Sequence, residues 1–457
     1  MDTATARTTV GQLMPDVLTD LRRLVGHASV AFPGFPPEPV HAMAADVLDL
    51  FRAAGIADAR LLDLGAGYPS VYGEIPAPPG APTVLLYAHY DVQPAPKQGW
   101  TSDPWTATDG PDGRIHGRGV ADDKSGVVAH LATLRAFGGT PPVGVKILVE
   151  GEEETISHLE AYVEAHPALF ACDAFVIADM GNVRVGEPAL TTHLRGDVSC
   201  TVTVSTLAAP VHSGLFGGAA PDALIALARI LATLHTPDGD VAIEGLHSHD
   251  WSGADFPEAD FRTAAGVLDG VDLVGTGTVA SRLWARPSVT AIGLDAPNTA
   301  EAANILIPTA TAKISMRVVP GCDPERELQL LMDHLESHAP GNVKVETKRV
   351  KVGHPFEVDL TGPAIGAARD GLSAAFGKPA SVIGSGGSIP LVAYLKKAAP
   401  NADVILWGAE DLARAAIHAP DESVDPAEIE RIILAQVLML SALGAAARAG
   451  ADPGAVG

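Results

Sequence analysis

Three nearly continuous apolar runs constrain this chain more than any other feature: TVLLYAH (83–89), VKILVEG (145–151) and AFVIADM (174–180). Each is short for a helix, is rich in leucine, isoleucine and valine, and ends in polar or charged residues. A strand with one wet face alternates apolar and polar residues, whereas an unbroken run needs cover on both faces. Helical periodicity at 9–25, 39–54, 122–137 and 157–166 supplies that cover. The expected fold class is therefore α/β, with a mostly parallel central sheet flanked by helices. Its ligand site should lie beyond the carboxyl ends of the strands.

The texture changes after Arg195-Gly196. DVSCTVTVST (197–206) alternates, as a sheet with one solvated face does, and a helix is expected at 221–235. A polar, Gly-rich stretch at 236–280 reads as loop or irregular lid. Strands at 288–295 and 311–319, a helix at 323–338 and a strand at 343–351 complete a β-α-β-β-α-β order, that of a ferredoxin-like α+β insert. After Pro355 the α/β texture returns with a helix at 362–376, a strand at 380–384, a helix at 387–397, a strand at 403–407 and a helix at 425–448. The expected organisation is one domain in two parts, 1–194 and 354–457, interrupted by an insert at 195–353.

Charge narrows the function classes. Lys and Arg total 31 against 55 Asp and Glu, a net charge of −24 that repels phosphate backbones and anionic lipid heads. Nucleic acid and membrane partners are accordingly not expected, and no stretch is expected to approach the roughly 18 apolar residues of a span. Cys172, Cys200 and Cys322 lie far apart without a CxxC pair, which argues against a cysteine-rich zinc module and a disulfide framework. The first residues, MDTATARTTVGQL, lack the apolar core and cleavage site of a secretory leader, so a cytoplasmic protein is expected. An excess of carboxylates is also what a hard or borderline cation requires.

The chemistry-bearing residues sit at the ends of the buried runs. His89 and Asp91 close the first, Asp122 and Asp123 stand in GRGVADDKSG (117–126) at a helix start, and EGEEE (150–154) closes the second. Asp179 ends the third, and His418 in AIHAPDES follows the last expected strand. Singly, each has a bland explanation: a satisfied strand-end histidine, a helix cap, a solvated acidic loop. Jointly they converge on one rim, and two histidines with Asp, Asp and Glu have the mixed nitrogen and oxygen character of a two-zinc hydrolytic centre. His247-Ser248-His249-Asp250 mimics a metal motif, but no strand precedes it. Neither a GxSxG elbow nor a GxxxxGK[ST] loop is found.

HYD, RGVADDKSG, EGEEE, the Asp of ADMGN and the His of IHAPDE stand in the order and spacing of one family. From about residue 15 to 445 the chain resembles the co-catalytic zinc peptidases that include carnosinases, bacterial dipeptidases, aminoacylases and glutamate carboxypeptidases. VHSGLFGG (211–218), SMRVVP (315–320) and GSGGSIP (384–390) are similar to the dipeptidase branch. The resemblance implies two zinc ions, with manganese or cobalt as alternatives. Asp122 would bridge them beside a non-proline cis peptide to Asp123. His89 and Asp179 would complete one ion, Glu154 and His418 the other. It makes Glu153 the general base and Asp91 the residue that orients His89. The choice of Glu153 and Glu154 over Glu150 and Glu152 rests on motif register.

The same resemblance makes 195–353 a lid and dimerisation domain of a homodimer, in which His212 reaches the partner's site and stabilises the oxyanion. Arg317 would grip the substrate carboxylate, and the 384–388 loop, with Gly387 and Ser388, would present backbone N–H groups to it. The implied reaction is hydrolysis of dipeptides or similar short peptides with a free C-terminal carboxylate. An N-acyl-amino-acid deacylase or desuccinylase is the rival with the same centre, and a non-catalytic binding relative the remote one. Ser125, Ile156, Val211 and Asp421 replace residues usual in the family (Gly, Gly, Asp and Asn). None is an expected ligand, but Ser125 and Ile156 are expected to alter the pocket wall.

Overall fold

The computed structural model describes residues 1–387 and 389–451. The apolar runs become the strands Thr83–His89, Gly144–Glu150 and Ala174–Ile177, which lie side by side and parallel with Asp403–Leu406 beyond them. The sheet order is 60–62, 70–75, 144–150, 83–89, 174–177, 403–406. Its first two strands, Arg60–Leu62 and Ser70–Ile75, run antiparallel and had no sequence signal. The first has only three residues, and SVYGEI is interrupted by Gly73. Glycine is needed there, because a Cβ would lie 2.5 Å from the Ile56 side chain.

Helices Thr3–Val25, Lys124–Ala136, Pro363–Phe376 and Pro426–Ala451 pack on one another, and one contiguous apolar cluster joins them to the sheet. The last helix corrects an expectation. Within Pro426–Ala449 an 18-residue window has a mean hydropathy of 1.8, and the helix is long enough to cross a membrane, yet 61% of that apolar window is buried inside the protein. Neighbouring helices take up the apolar surface that lipid would otherwise cover.

The second sheet has strands in the order 288–295, 309–318, 196–205, 344–352, all antiparallel, with helices Ala223–Leu231 and Pro324–Ser337 against it. This is the ferredoxin-like arrangement, and it has an apolar cluster of its own. Val198, Cys200, Val202 and Val204 are buried while Thr201 and Thr203 between them are partly exposed, as period-two alternation requires; Ser199, at a shift in register, is buried as well. Helix Pro324–Ser337 starts with proline at its first position behind an Asp323 cap and buries Leu328, Leu331 and Leu335, one helical stripe.

The 236–280 stretch is irregular apart from the helix Glu258–Ala264, but it is not a free flap. Phe256, Val279, Ala280 and Trp284 form a third cluster with Val183, Ala189 and Ile383 of the first unit. That seam also explains Gly384, where a Cβ would sit 2.5 Å from the Trp284 side chain.

Candidate metal centre

Register brings the acidic strand ends together. His89 pairs with Glu150 and Tyr87 with Ile177, so the parallel strands finish at one level and Asp179 follows two residues later. The loop before helix Lys124–Ala136 supplies the middle of the site. Asp123 caps that helix by accepting the Gly126 N–H at 3.1 Å, and its other oxygen accepts the His89 N–H at 3.2 Å. Asp122 is therefore left out of the capping role, and the peptide bond between the two aspartates is cis. His418 enters from the opposite loop with φ +64°, and Ala416 and Asp421 beside it also have positive φ. Non-glycine residues adopt that region rarely, so three within one short loop mark a constrained segment.

Asp122 is the hub. Its Oδ1 lies 2.9 Å from His89 Nε2, and its Oδ2 lies 2.9 Å from His418 Nε2. His89 Nε2 is 3.6 Å from Asp179 Oδ1, and His418 Nε2 is 3.3 Å from Glu154 Oε1. Three sets of donor atoms fall within 4.8 Å of one another: Asp122, Glu154 and His418; His89, Asp123 and Asp179; and Asp122, Asp179 and Glu410.

The four glutamates of 150–154 divide by their partners. Glu150 is buried and accepts hydrogen bonds from the Tyr87 hydroxyl at 2.8 Å and from Ser157. Glu152 turns away to His158 at 2.9 Å. Glu154 faces His418 and is held by Gln93 Nε2 at 2.7 Å. Asp91 fixes this turn, since its two oxygens accept the N–H groups of Glu153 and Glu154 at 3.0 and 3.1 Å. That use of its carboxylate leaves only a 3.6 Å approach to His89 Nδ1, whose nearer partner is the Asp91 carbonyl at 3.1 Å.

The electrostatics fit a cation. Burial raises Asp179 to about 6 and Glu153 well above the usual carboxylate range, with the Asp179 charge adding to the latter. Burial pushes Asp122 the same way, but the hydrogen bond from His418 and the His89 imidazole beside it hold it well below its ordinary value. His418 is raised to about 10 by its bonds to Asp122 and Glu154. Among the described residues, His89 Nε2, Asp122 Oδ1 and Glu410 Oε1 are buried without a hydrogen-bond partner. The first two face each other at 2.9 Å outside hydrogen-bond geometry, an arrangement that a shared divalent ion satisfies. Residues His89, Asp122, Glu154, Asp179 and His418 therefore fit such ions in type and spacing, with His89 and Asp122 buried and His418 open to solvent.

Other expected residues lie elsewhere. His212 is exposed on the insert, its Nδ1 accepting the Gly214 N–H at 3.0 Å. Arg317 is half-buried on strand Thr309–Val318, opposite Asp197 on one side and Ser288 on the other. Gly387 is exposed and its N–H is taken by the Ser385 hydroxyl at 3.1 Å, and Ser388 lies outside the described residues. Ser125 is no pocket wall: it is buried and donates to the Ala121 carbonyl at 2.8 Å. Ile156 is 78% exposed and lines a cavity of about 410 Å³ with Glu160, Pro390 and Tyr394.

Two acidic residues had not been singled out. Glu410, fully buried beside Asp122 and Asp179, comes from a two-residue strand that no apolar run announces. Glu422 accepts from the N–H groups of Gly119, Ala121 and Asp122 and from Arg118, at 2.7 to 3.1 Å, and so shapes the loop that carries Asp122. Glu422 lies in the same motif as His418, AIHAPDES, four residues further on.

Comparison with known proteins agrees with this geometry. The family described as Peptidase family M20/M25/M40 matches residues 85–442. The cysteinylglycine-S-conjugate dipeptidase of Corynebacterium striatum is 43% identical over 374 residues, covering 80% of this chain and 82% of that protein. The Beta-Ala-His dipeptidase of Rattus norvegicus is 28% identical over 383 residues, 75% of this chain and 77% of that one. In fold, the dipeptidase Dug1p from Saccharomyces cerevisiae superposes with a TM-score of 0.81 at 22% identity, over 97% of this chain and 99% of that chain. The chain belongs to the M20/M25/M40 peptidase family and is a metallopeptidase-type hydrolase.

Proposed function

We propose that the protein is a dipeptidase that holds two zinc-type ions and cleaves the amide bond of dipeptides bearing a free carboxylate. One observation carries this reading: Asp122 stands between His89 and His418, its Oδ1 and His89 Nε2 are buried without a hydrogen-bond partner, and Asp91 next to His89 tethers the Glu153 N–H. His89 and Asp179 would hold one ion, Glu154 and His418 the other, with Asp122 shared. Bound there, the ions supply the Lewis acidity that lowers the pKa of the attacking water and polarises the scissile carbonyl.

Glu153 takes the proton from that water and returns it to the leaving amine. Its raised pKa, from burial and the Asp179 charge, suits a group that must both accept and donate near neutral pH. Asp91 positions it through the backbone N–H bonds at 153 and 154. Arg317 would receive the carboxylate end of the substrate. The curated relatives named above are dipeptidases, which favours peptide over acyl-amino-acid substrates.

His212 would act in the site of a second copy joined through 195–353, where it would stabilise the oxyanion. Leu215 and Phe216, exposed beside it, support a surface that a second chain covers. Three unpaired cysteines suit a reducing compartment, hence the cytoplasm.

The test is metal content by mass spectrometry with hydrolysis of a dipeptide panel before and after chelation. About two ions per chain, activity lost on chelation and restored by metal, and a Glu153→Gln variant that keeps its ions but loses roughly a hundred- to ten-thousandfold in kcat are expected. A Glu153→Gln enzyme above a tenth of wild-type turnover refutes the role of the base. Cleavage of acyl-amino acids alone would move the substrate to that class.

A further inference from the structure

Arg195 is a buried cation without a counter-ion. It links the strands Ala189–Leu194 and Gly196–Ser205 at the crossing between the two sheets and is only 7% exposed. Among the described residues no carboxylate lies in ion-pair reach of its guanidinium, and its Nε is buried with no hydrogen-bond partner. Its Nη1 donates to the Ser288 hydroxyl at 3.2 Å and lies 3.5 Å from the Arg286 carbonyl. Both acceptors are neutral. A guanidinium removed from water in this way is costly unless an anion joins it.

Three observations locate that anion. Ser288, which receives Nη1, is the register partner of Arg317, so the two arginines flank one strand end. The Arg317 charge also lowers the Arg195 pKa, after the larger effect of burial, so the two cations lie close enough to repel. From the other side Nη2 approaches Gly386 so closely that a Cβ there would be 3.0 Å away, which brings Arg195 against the 384–387 loop. A buried, unneutralised cation against a glycine loop, with a second cation beside it, forms half of an anion site.

We propose that Arg195 is a specificity-determining residue, the second cation that binds the substrate's free carboxylate together with Arg317. The inference rests on the dipeptidase reading and deepens it. Its place at the crossing between the sheets adds a consequence: a carboxylate bound there touches residues of both units, so substrate ties the insert to the metal-bearing sheet.

The experiment uses full-length, metal-loaded enzyme and two probes, a dipeptide with a free C-terminal carboxylate and the same dipeptide as its C-terminal amide. Wild type should prefer the acid. Arg195→Gln should raise KM for the acid roughly ten- to a hundredfold, the worth of a hydrogen bond between charged groups, and change kcat little. The amide should be cleaved by variant and wild type with similar kcat/KM, so the acid-to-amide preference collapses. Arg195→Lys, which keeps the charge and guards against misfolding of the glutamine variant, should also lose part of that preference, because an ammonium cannot reproduce the planar fork. A purely structural arginine would lower the melting temperature and leave the preference intact. An unchanged acid-to-amide ratio in either folded variant overturns the assignment of Arg195. A wild-type enzyme that cleaves neither probe overturns the dipeptidase reading, and this inference with it.

Discussion

Replacing Glu422 by glutamine tests whether the metal centre is shaped by a buried carboxylate that touches no substrate. Oε1 of Glu422 accepts the N–H groups of Ala121 and Asp122 at 3.0 and 3.1 Å, and Oε2 accepts Gly119 N–H and Arg118 Nη1 at 2.9 and 2.7 Å. Glutamine has almost the same shape but one oxygen. Whichever way its amide is turned, two of the four donors then face an NH₂ group. Each buried donor left without an acceptor costs about 1–3 kcal/mol. The described residues offer Arg118 no other carboxylate, and breaking a buried ion pair costs roughly 3–5 kcal/mol. The two accounts overlap, since they count the same loss, and agree on about 4 kcal/mol. Because Asp122 N–H is among the four donors, metal affinity should fall as well, by roughly ten- to a hundredfold. Urea unfolding of the chelated protein reads the first effect, and titration of zinc against a competing chelator reads the second. A Glu422→Gln protein within about 1 kcal/mol of wild type and with unchanged zinc affinity would refute the reasoning.

Other consequences are as direct. Asp91→Ala leaves the N–H groups of Glu153 and Glu154 without their acceptor, so the base proposed at Glu153 should drift, and kcat should fall on the order of a hundredfold with metal content unchanged. Asp91→Asn, with one oxygen left, should fall between. Turnover of Asp91→Ala within threefold of wild type would show that the turn holds itself. His130 is buried between the Tyr87 carbonyl at 2.8 Å and Gln436 at 3.1 Å, and burial lowers its pKa from 6.5 to about 4. The unfolded chain therefore takes up a proton near pH 6.5 that the folded one refuses until about pH 4. His130 stabilises the fold above pH 6.5, and that contribution, about 3 kcal/mol, is lost as the pH falls through this window. A His130→Gln variant should show a shallower decline of melting temperature between pH 6.5 and 4, and parallel curves would contradict the assignment.

The elements read correctly from sequence are those whose burial forces a pattern. TVLLYAH, VKILVEG and AFVIADM are apolar because the sheet is covered on both faces, and Val198 to Val204 alternate because theirs is not. Arg60–Leu62 and Ser70–Ile75 escaped because a short edge strand buries too little to impose a period. The 236–280 stretch is irregular as its composition implies, but its docking was not legible: Phe256 and Val279 are single anchors in polar surroundings, and isolated apolar residues have no periodicity to read. The helix at 426–451 was legible as a helix, but its apolar character was underrated. Sequence alone does not say whether lipid or neighbouring helices cover such a surface.

The site separates along the same line, between what a residue is and what already occupies its atoms. His89, Asp122, Glu154, Asp179 and His418 were visible because strand ends collect them, and the chain folds them into one cluster. Four adjacent glutamates are indistinguishable in sequence, and only their partners sort them: Tyr87 and Ser157 take up Glu150, His158 takes up Glu152, and Glu153 and Glu154 are left for the centre. Asp123 looks like Asp122 until its oxygens are seen to cap a helix and to hold the His89 N–H. Arg195 shows the converse. It carries no motif of its own in the sequence, and it becomes informative because the folded chain surrounds it with neutral groups and a second cation. A polar group whose partners are present explains local structure, whereas a cluster of buried ionisable groups without counter-ions in the chain points to something the chain binds. By that criterion His89 Nε2 and Asp122 Oδ1 call for cations, and the Arg195 guanidinium calls for the carboxylate of the substrate those cations would cleave.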